Sequence, residues 1–200
     1  MTICIAVAVP DGIAFAADSQ TTWNKTITKV KEKGTAKEIE LETPLNVPIS
    51  WSKMTRKLFK LTFGENNFAA CIAGAALLNS KTMYSVFKSL EANYNGEGDF
   101  DEVLSFLIDG LKKELKNELG TDNLTSTDKI VTADFILAGF DLKDISQPRL
   151  SSCAVFSGTP KGPDGNPIRE GHFEKWKNEG NNKFSACWIG KVEFISHRPI

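Results

Sequence analysis

Residues 2–9 and 13–17 are two short apolar runs, rich in β-branched side chains and separated by Pro10-Asp11-Gly12. An Asp-Gly pair between two such runs is a strong β-hairpin signal. The chain is therefore committed to antiparallel β structure from its first residues. The return strand brings its end, Asp18, back beside the start of the first strand, at Thr2. A start that is apolar at once and lacks a basic leader reads as a strand, not a signal peptide, so a cytoplasmic location is expected. No apolar run approaches the roughly 18–20 residues of a spanning helix, and no membrane partner is expected.

Residues 24–53 turn polar and lysine-rich and contain Gly34, Pro44 and Pro48. They read as an insertion at about 24–53 within a single domain over 1–200, with only a marginal strand at Glu38–Leu41. A second hairpin follows, from Lys57–Phe63 through Gly64-Glu65-Asn66-Asn67 to Phe68–Ile72. Helical spacing of Met83, Val86, Phe87, Leu90 and Tyr94 predicts a helix from about Ala76 to Tyr94. Asp99, followed three residues later by Glu102, predicts the capped start of another. Its apolar stripe is Phe100, Val103, Leu104, Leu107, Ile108, Leu111 and Leu115. Strands return at Ala133–Phe140, Arg149–Ser157 and Phe184–Ile189, with a loop by composition at Gly158–Gly165. Strands, two helices, then strands is the order of an α+β protein with helices packed outside two antiparallel sheets.

The 24 basic and 25 acidic residues nearly cancel, which argues against a nucleic-acid partner. Cys4, Cys71, Cys153 and Cys187 lie far apart in apolar runs without a CxxC pair, so they read as buried reduced thiols. His172 and His197, the only histidines, share no metal-binding spacing. No metal or other cofactor is expected, and a base other than histidine must carry any hydrolytic chemistry.

An N-terminal threonine can supply nucleophile and base together. Its hydroxyl needs a proton acceptor within reach. The free α-amine of the same residue, with a reference pKa of about 7.7–8.0, is one at neutral pH. Thr2 meets this requirement once Met1 is removed, which a small second residue permits. Asp18, expected nearby, would orient and stabilise an ammonium group.

Thr2 at a strand start, Ala16-Ala17-Asp18-Ser19-Gln20-Thr21-Thr22 after the hairpin, a basic pair opening the next hairpin, and Ala73-Gly74-Ala75 before a helix together resemble a β-type proteasome subunit. The Met-Thr-x-Cys opening and Arg56-Lys57-Leu58-Phe59 are most similar to the bacterial proteasome-like Anbu family. The resemblance covers residues 2–23 and 54–94 well and 133–200 loosely. It implies an N-terminal-nucleophile (Ntn) hydrolase fold, an αββα four-layer sandwich with two antiparallel sheets between helical layers. It also implies a threonine peptidase with catalytic Thr2, Asp18 and Lys57, and an oxyanion site at the Gly74 N–H. Thr21, Thr55, Ile72 and Ala76 would line the pocket for the residue before the cut. Peptide or protein substrates and a homo-oligomeric ring or related assembly follow from the same likeness.

Two departures stand out. The family's Gly-Ser-Gly turn is matched best by Trp188-Ile189-Gly190-Lys191, with lysine in place of serine. The family also usually continues beyond the equivalent of Ile200, so a fragment or an abbreviated homologue, incomplete at its C-terminus, is expected. Both features favour a non-catalytic structural subunit as the alternative. An Ntn amidohydrolase acting on a small amide is the third reading.

Overall fold

Period-two alternation places Cys4, Ala6 and Ala8 on one face of the first strand and Ile5, Val7 and Val9 on the other. The computed structural model describes residues 3–19, 21–31, 34, 38–52, 56–125, 127, 131–141, 144–158, 173–177 and 185–190. Strand β1 (Ile3–Val9) pairs antiparallel with β2 (Gly12–Ala17) through the predicted hairpin. It pairs on its other side with the last described strand, β12 (Ser185–Gly190). These make a three-stranded sheet with β1 at its centre.

The region 19–55 forms a compact unit of its own. Its core element is a long antiparallel ribbon of β3 (Thr21–Lys31) and β4 (Glu38–Ser52), with register shifts at Trp23/Asn24 and Ile27/Lys29. Thr22, Trp23, Thr26, Ile27 and Val30 are the β-branched and aromatic residues that favour such a ribbon over a loop.

The second unit continues with β5 (Leu58–Phe63) and β6 (Asn66–Gly74). A minute hairpin of β7 (Leu77–Leu78) and β8 (Lys81–Thr82) then precedes helix α1 (Met83–Ala92), and α2 (Phe100–Leu119) follows. The helix predicted from Ala76 thus opens seven residues later, at Thr82 as N-cap, because residues 77–82 turn back on themselves. Asp99 caps α2 by accepting the N–H groups of Asp101 and Glu102, and Gly120 closes it in the left-handed conformation. Strands β9 (Thr132–Asp141), β10 (Asp144–Phe156) and β11 (Phe173–Lys177) complete a five-stranded sheet in the order β11-β10-β9-β6-β5.

One face of this sheet packs on both helices. Phe59, Leu61 and Phe63 meet the stripe that includes Phe87, Leu104, Leu107 and Leu111, with edge-on aromatic pairs such as Phe59–Phe87 and Phe87–Phe135. The other face meets the three-stranded sheet across a second apolar layer, in which Cys4, Ala6 and Ala8 of β1 pack with Cys71, Ile136, Ala138 and Leu150.

The four-layer αββα expectation is therefore overturned. The described residues are mostly strand, in several antiparallel sheets, and both helices are spent on one face of the five-stranded sheet. No helix among them covers the outer face of the three-stranded sheet, where Ile5, Val7, Val9 and Trp188 are exposed. Two amphipathic stripes supply one helical layer, not two.

Candidate active site

Asp18 follows β2 directly, so the hairpin register fixes it opposite the first residues of β1. Its N–H donates to the Ile3 carbonyl at 3.2 Å, and its Oδ1 accepts the Ile3 N–H at 3.0 Å. Lys57, immediately before β5, donates from Nζ to Asp18 Oδ1 at 3.0 Å and Oδ2 at 3.1 Å. One carboxylate thus holds the backbone at the start of β1 and a lysine ammonium at the same time. Lys57 is only 5% exposed while Asp18 is 36% exposed, so the lysine is the desolvated partner. A buried ammonium needs a counter-charge, and Asp18 supplies it.

Two further bonds tie these elements together. The Lys57 carbonyl accepts the Ile72 N–H at 2.9 Å, and the Cys4 thiol donates to the Ile72 carbonyl at 3.3 Å. The beginning of β1 therefore lies against the end of β6, two residues short of Gly74. Gly74 has φ +87°, and a Cβ there would stand 2.3 Å from the Thr132 carbonyl oxygen. Only glycine suits the position. The next amide, of Ala75, donates to that carbonyl at 2.7 Å. Along the strand, alternation turns the Gly74 N–H to the opposite edge, where Ile72 meets Lys57. Gly74 itself is exposed.

The remaining sequence candidates divide. Ala76 is half-buried just beyond Gly74. Ile72 points its side chain into the core beneath the helices. Thr21 begins β3 in the separate unit, with its backbone opposite Ser52. Thr2, Thr55 and Lys191 lie outside the described residues. Gly190, from the Trp188-Ile189-Gly190 stretch, pairs with Ile3 at φ +109°.

Behind this corner lie thiols, buried and unbridged as their apolar runs lead one to expect. Cys4 and Cys71 are both fully buried in the layer between the sheets. The hydrogen bond with the Cys4 thiol, together with burial, pushes the Cys71 thiol far above the ordinary range. Burial, with a smaller contribution from Cys153, pushes Cys187 up to about 12. The raised values keep Cys71 and Cys187 protonated and poorly nucleophilic. Their strand-like, apolar context was the signal available beforehand. Among the described residues, no cluster of three His, Cys, Asp or Glu side chains could hold a metal ion. A cleft of about 680 Å³ is lined by residues including Ile13, Phe15, Leu58, Lys60 and Phe68, and it contains neither Asp18 nor Gly74.

The whole chain is similar in structure to Anbu proteins. It superposes on the helical assembly of the Anbu complex from Pseudomonas aeruginosa with a TM-score of 0.51 and 18% identity, covering 96% of this chain and 62% of that one. Anbu, the ancestral β-subunit, from Yersinia bercovieri gives 0.51 and 17%, covering 98% and 63%. The Gly-1 mutant of Anbu from Hyphomicrobium sp. strain MC1 gives 0.50 and 14%, covering 98% and 64%. The likeness is one of fold. The chain spans less than two thirds of the length of each of these structures. It matches no protein-family model and no curated protein. No helix among the described residues is long and apolar enough to cross a membrane.

Proposed function

We propose that this chain is a threonine-type peptidase related to the proteasome, with Thr2 as its nucleophile after removal of Met1. The observation that carries this reading is the bridging carboxylate of Asp18, which binds the Ile3 amide and the buried Lys57 ammonium together. Ile3 is the residue next to Thr2 in sequence, so a charged pair is anchored to the backbone one residue beyond the proposed nucleophile.

In the proposed reaction the Thr2 α-amine takes the hydroxyl proton, directly or through water, as Oγ attacks a peptide carbonyl. The positive charge on Lys57 favours the deprotonated amine and the developing alkoxide. Asp18 keeps that ammonium in place. The Gly74 N–H donates to the oxyanion, a contribution whose loss typically costs about 10²–10³ in rate. The amine, now protonated, gives its proton to the leaving nitrogen, and water then cleaves the ester to free Thr2. The Anbu likeness supports assembly into a homo-oligomer, since one of those proteins forms a helical assembly.

The test begins with the intact mass of the native protein, where loss of Met1 is expected. Retention of Met1 would leave Thr2 without a free amine and end the proposal. Fluorogenic peptides should then be cut by the wild type and not by Thr2→Ala; equal rates would rule out Thr2. A second reading is a non-catalytic assembly subunit, in keeping with the helical assembly that one of the Anbu proteins forms. It predicts the same oligomer with no turnover in either protein.

A further inference from the structure

The ribbon of β3 and β4 segregates its charges by strand. Strand β3 carries Lys25, Lys29 and Lys31 and no acidic residue, while β4 carries Glu38, Glu40 and Glu42 and no basic one. Toward the end of β3, Lys29 stands opposite Glu40, Val30 opposite Ile39 and Lys31 opposite Glu38. Cross-strand partners share a face, so Lys29 and Glu40 lie on one side and Val30 and Ile39 on the other. Lys29 Nζ and Glu40 Oε1 are 3.1 Å apart, which matches the two strands to each other.

That internal match leaves much of the ribbon's surface unused. Even within their pair, the Lys29 and Glu40 side chains are 52% and 79% exposed. Val30 and Ile39 are exposed too, as are Leu45 and Val47 further along β4. The unit 19–55 has no helix and no third strand among its described residues, so its apolar positions have no second layer of their own. Two strands by themselves are marginally stable in water, and further strands are the usual remedy. Among the described residues neither strand has a second neighbour, so each presents an outer edge of backbone N–H and C=O groups, a template for pairing.

Charge decides which edges meet. Two β3 edges would bring lysines together and two β4 edges would bring glutamates together, and like charges directly opposite destabilise a sheet. A β4 edge beside a β3 edge instead continues the lysine–glutamate pairing at the ordinary strand spacing of about 4.8 Å. It also sets a second Val30–Ile39 pair beside the first. The strand that fits beside acidic β4 is thus basic and β-branched, and this chain itself possesses one. We infer that the ribbon is a self-association surface whose partner is the ribbon of a second copy, joined β4 to β3 in a four-stranded antiparallel sheet. Such a contact is heterologous, so each pair keeps one basic and one acidic edge and the sheet extends copy by copy. The inference is independent of the peptidase reading, since it uses neither Asp18, Lys57 nor Gly74.

The experiment uses the full chain in two forms, the wild type and a charge-exchanged ribbon. The exchanged form carries Lys25→Glu, Lys29→Glu, Lys31→Glu, Glu38→Lys, Glu40→Lys and Glu42→Lys, so positions 29 and 40, and 31 and 38, still oppose unlike charges. Its two edges match each other, but neither matches an edge of the wild type. Self-association is read by sedimentation velocity, and mixing by capture of untagged protein on tagged protein. Each form is expected to capture itself, and capture of one form by the other to fall about tenfold or more, the scale of juxtaposed like charges. The smaller exchange, Lys29→Glu with Glu40→Lys, repeats the test with two substitutions should six lower the Tm. A wild type that stays monomeric up to about 100 μM overturns the inference. Equal capture of like and unlike forms also overturns it, because association then runs through another surface. Loss of self-capture in both exchanged forms overturns it as well, because their edges are as complementary as those of the wild type.

Discussion

At Asp18 one oxygen serves two donors, the Ile3 amide and the Lys57 ammonium, so its substitutions separate backbone anchoring from charge. Asp18→Asn keeps an acceptor for Ile3 and loses the counter-charge. Peptide turnover is expected to fall by about 10²-fold or more, the scale of a general acid–base or electrostatic contribution. Stability should fall by about 1–2 kcal/mol in urea denaturation, less than a fully buried pair would cost because a third of Asp18 is open to solvent. A double-mutant cycle with Lys57→Met isolates the pair, and additive effects would show that the two side chains do not act together. Gly74→Ala makes a different demand. Its Cβ would meet the Thr132 oxygen in a backbone conformation that alanine disfavours. A loss of at least about 1–3 kcal/mol is expected from thermal unfolding, together with loss of turnover.

Among the elements, α2 shows how a locally specified helix restrains a distant turn. Asp99 caps it, and the helix in turn holds Asn79 through Glu114 and Glu118. Asp99→Ala should cost about 0.5–2 kcal/mol by urea denaturation, since two N–H groups lose their acceptor. A change below a few tenths would mean the cap is replaced by water. Helix α1 anchors the same face: Phe87→Ala removes a ring packed against Phe59 and Phe135 and is expected to cost about 3–5 kcal/mol. The signals read most directly were those with a local cause. The Pro10-Asp11-Gly12 hairpin, the Asp99 cap and the apolar stripe of α2 all stand where the residue pattern puts them. The start of α1 did not, because Ala76, Leu77 and Leu78 are good helix formers whose turn is imposed by carboxylates from α2, some 35–39 residues away. The ribbon 21–52 was underestimated for a related reason. Its lysines and prolines suggest a loop, while cross-strand pairing along its length makes strands of them.

For the molecule as a whole, the two sheets meet through an apolar layer that holds the buried Cys4, Cys71 and Cys187. Burial raises the Cys187 pKa in the folded state, to about 12, above the value of a free thiol. The sign follows: this contribution to stability is intact below pH 8–9 and is lost as pH rises through about 12, when the unfolded thiolate is favoured. Thiol titration at pH 8 should find Cys71 and Cys187 unreactive until denaturant is added, and alkaline unfolding should begin above pH 9. Prompt reaction in the native protein would show that the layer opens.

By itself the sequence determined the hairpins, the two amphipathic helices and the set of residues whose chemistry fits an N-terminal threonine. These depend on spacing within a few residues, and spacing is written in the chain. Only the tertiary structure decided that Asp18 reaches Lys57 across 39 positions, that the bulky side of β1 faces outward while its alanines and cysteine meet the second sheet, and that both helices share one face. Strand alternation in β1 is apolar on both sides, so periodicity alone could not choose between them. The choice was made by the second sheet, whose Ile136 and Leu150 already fill much of the shared layer and leave β1 to contribute Cys4, Ala6 and Ala8.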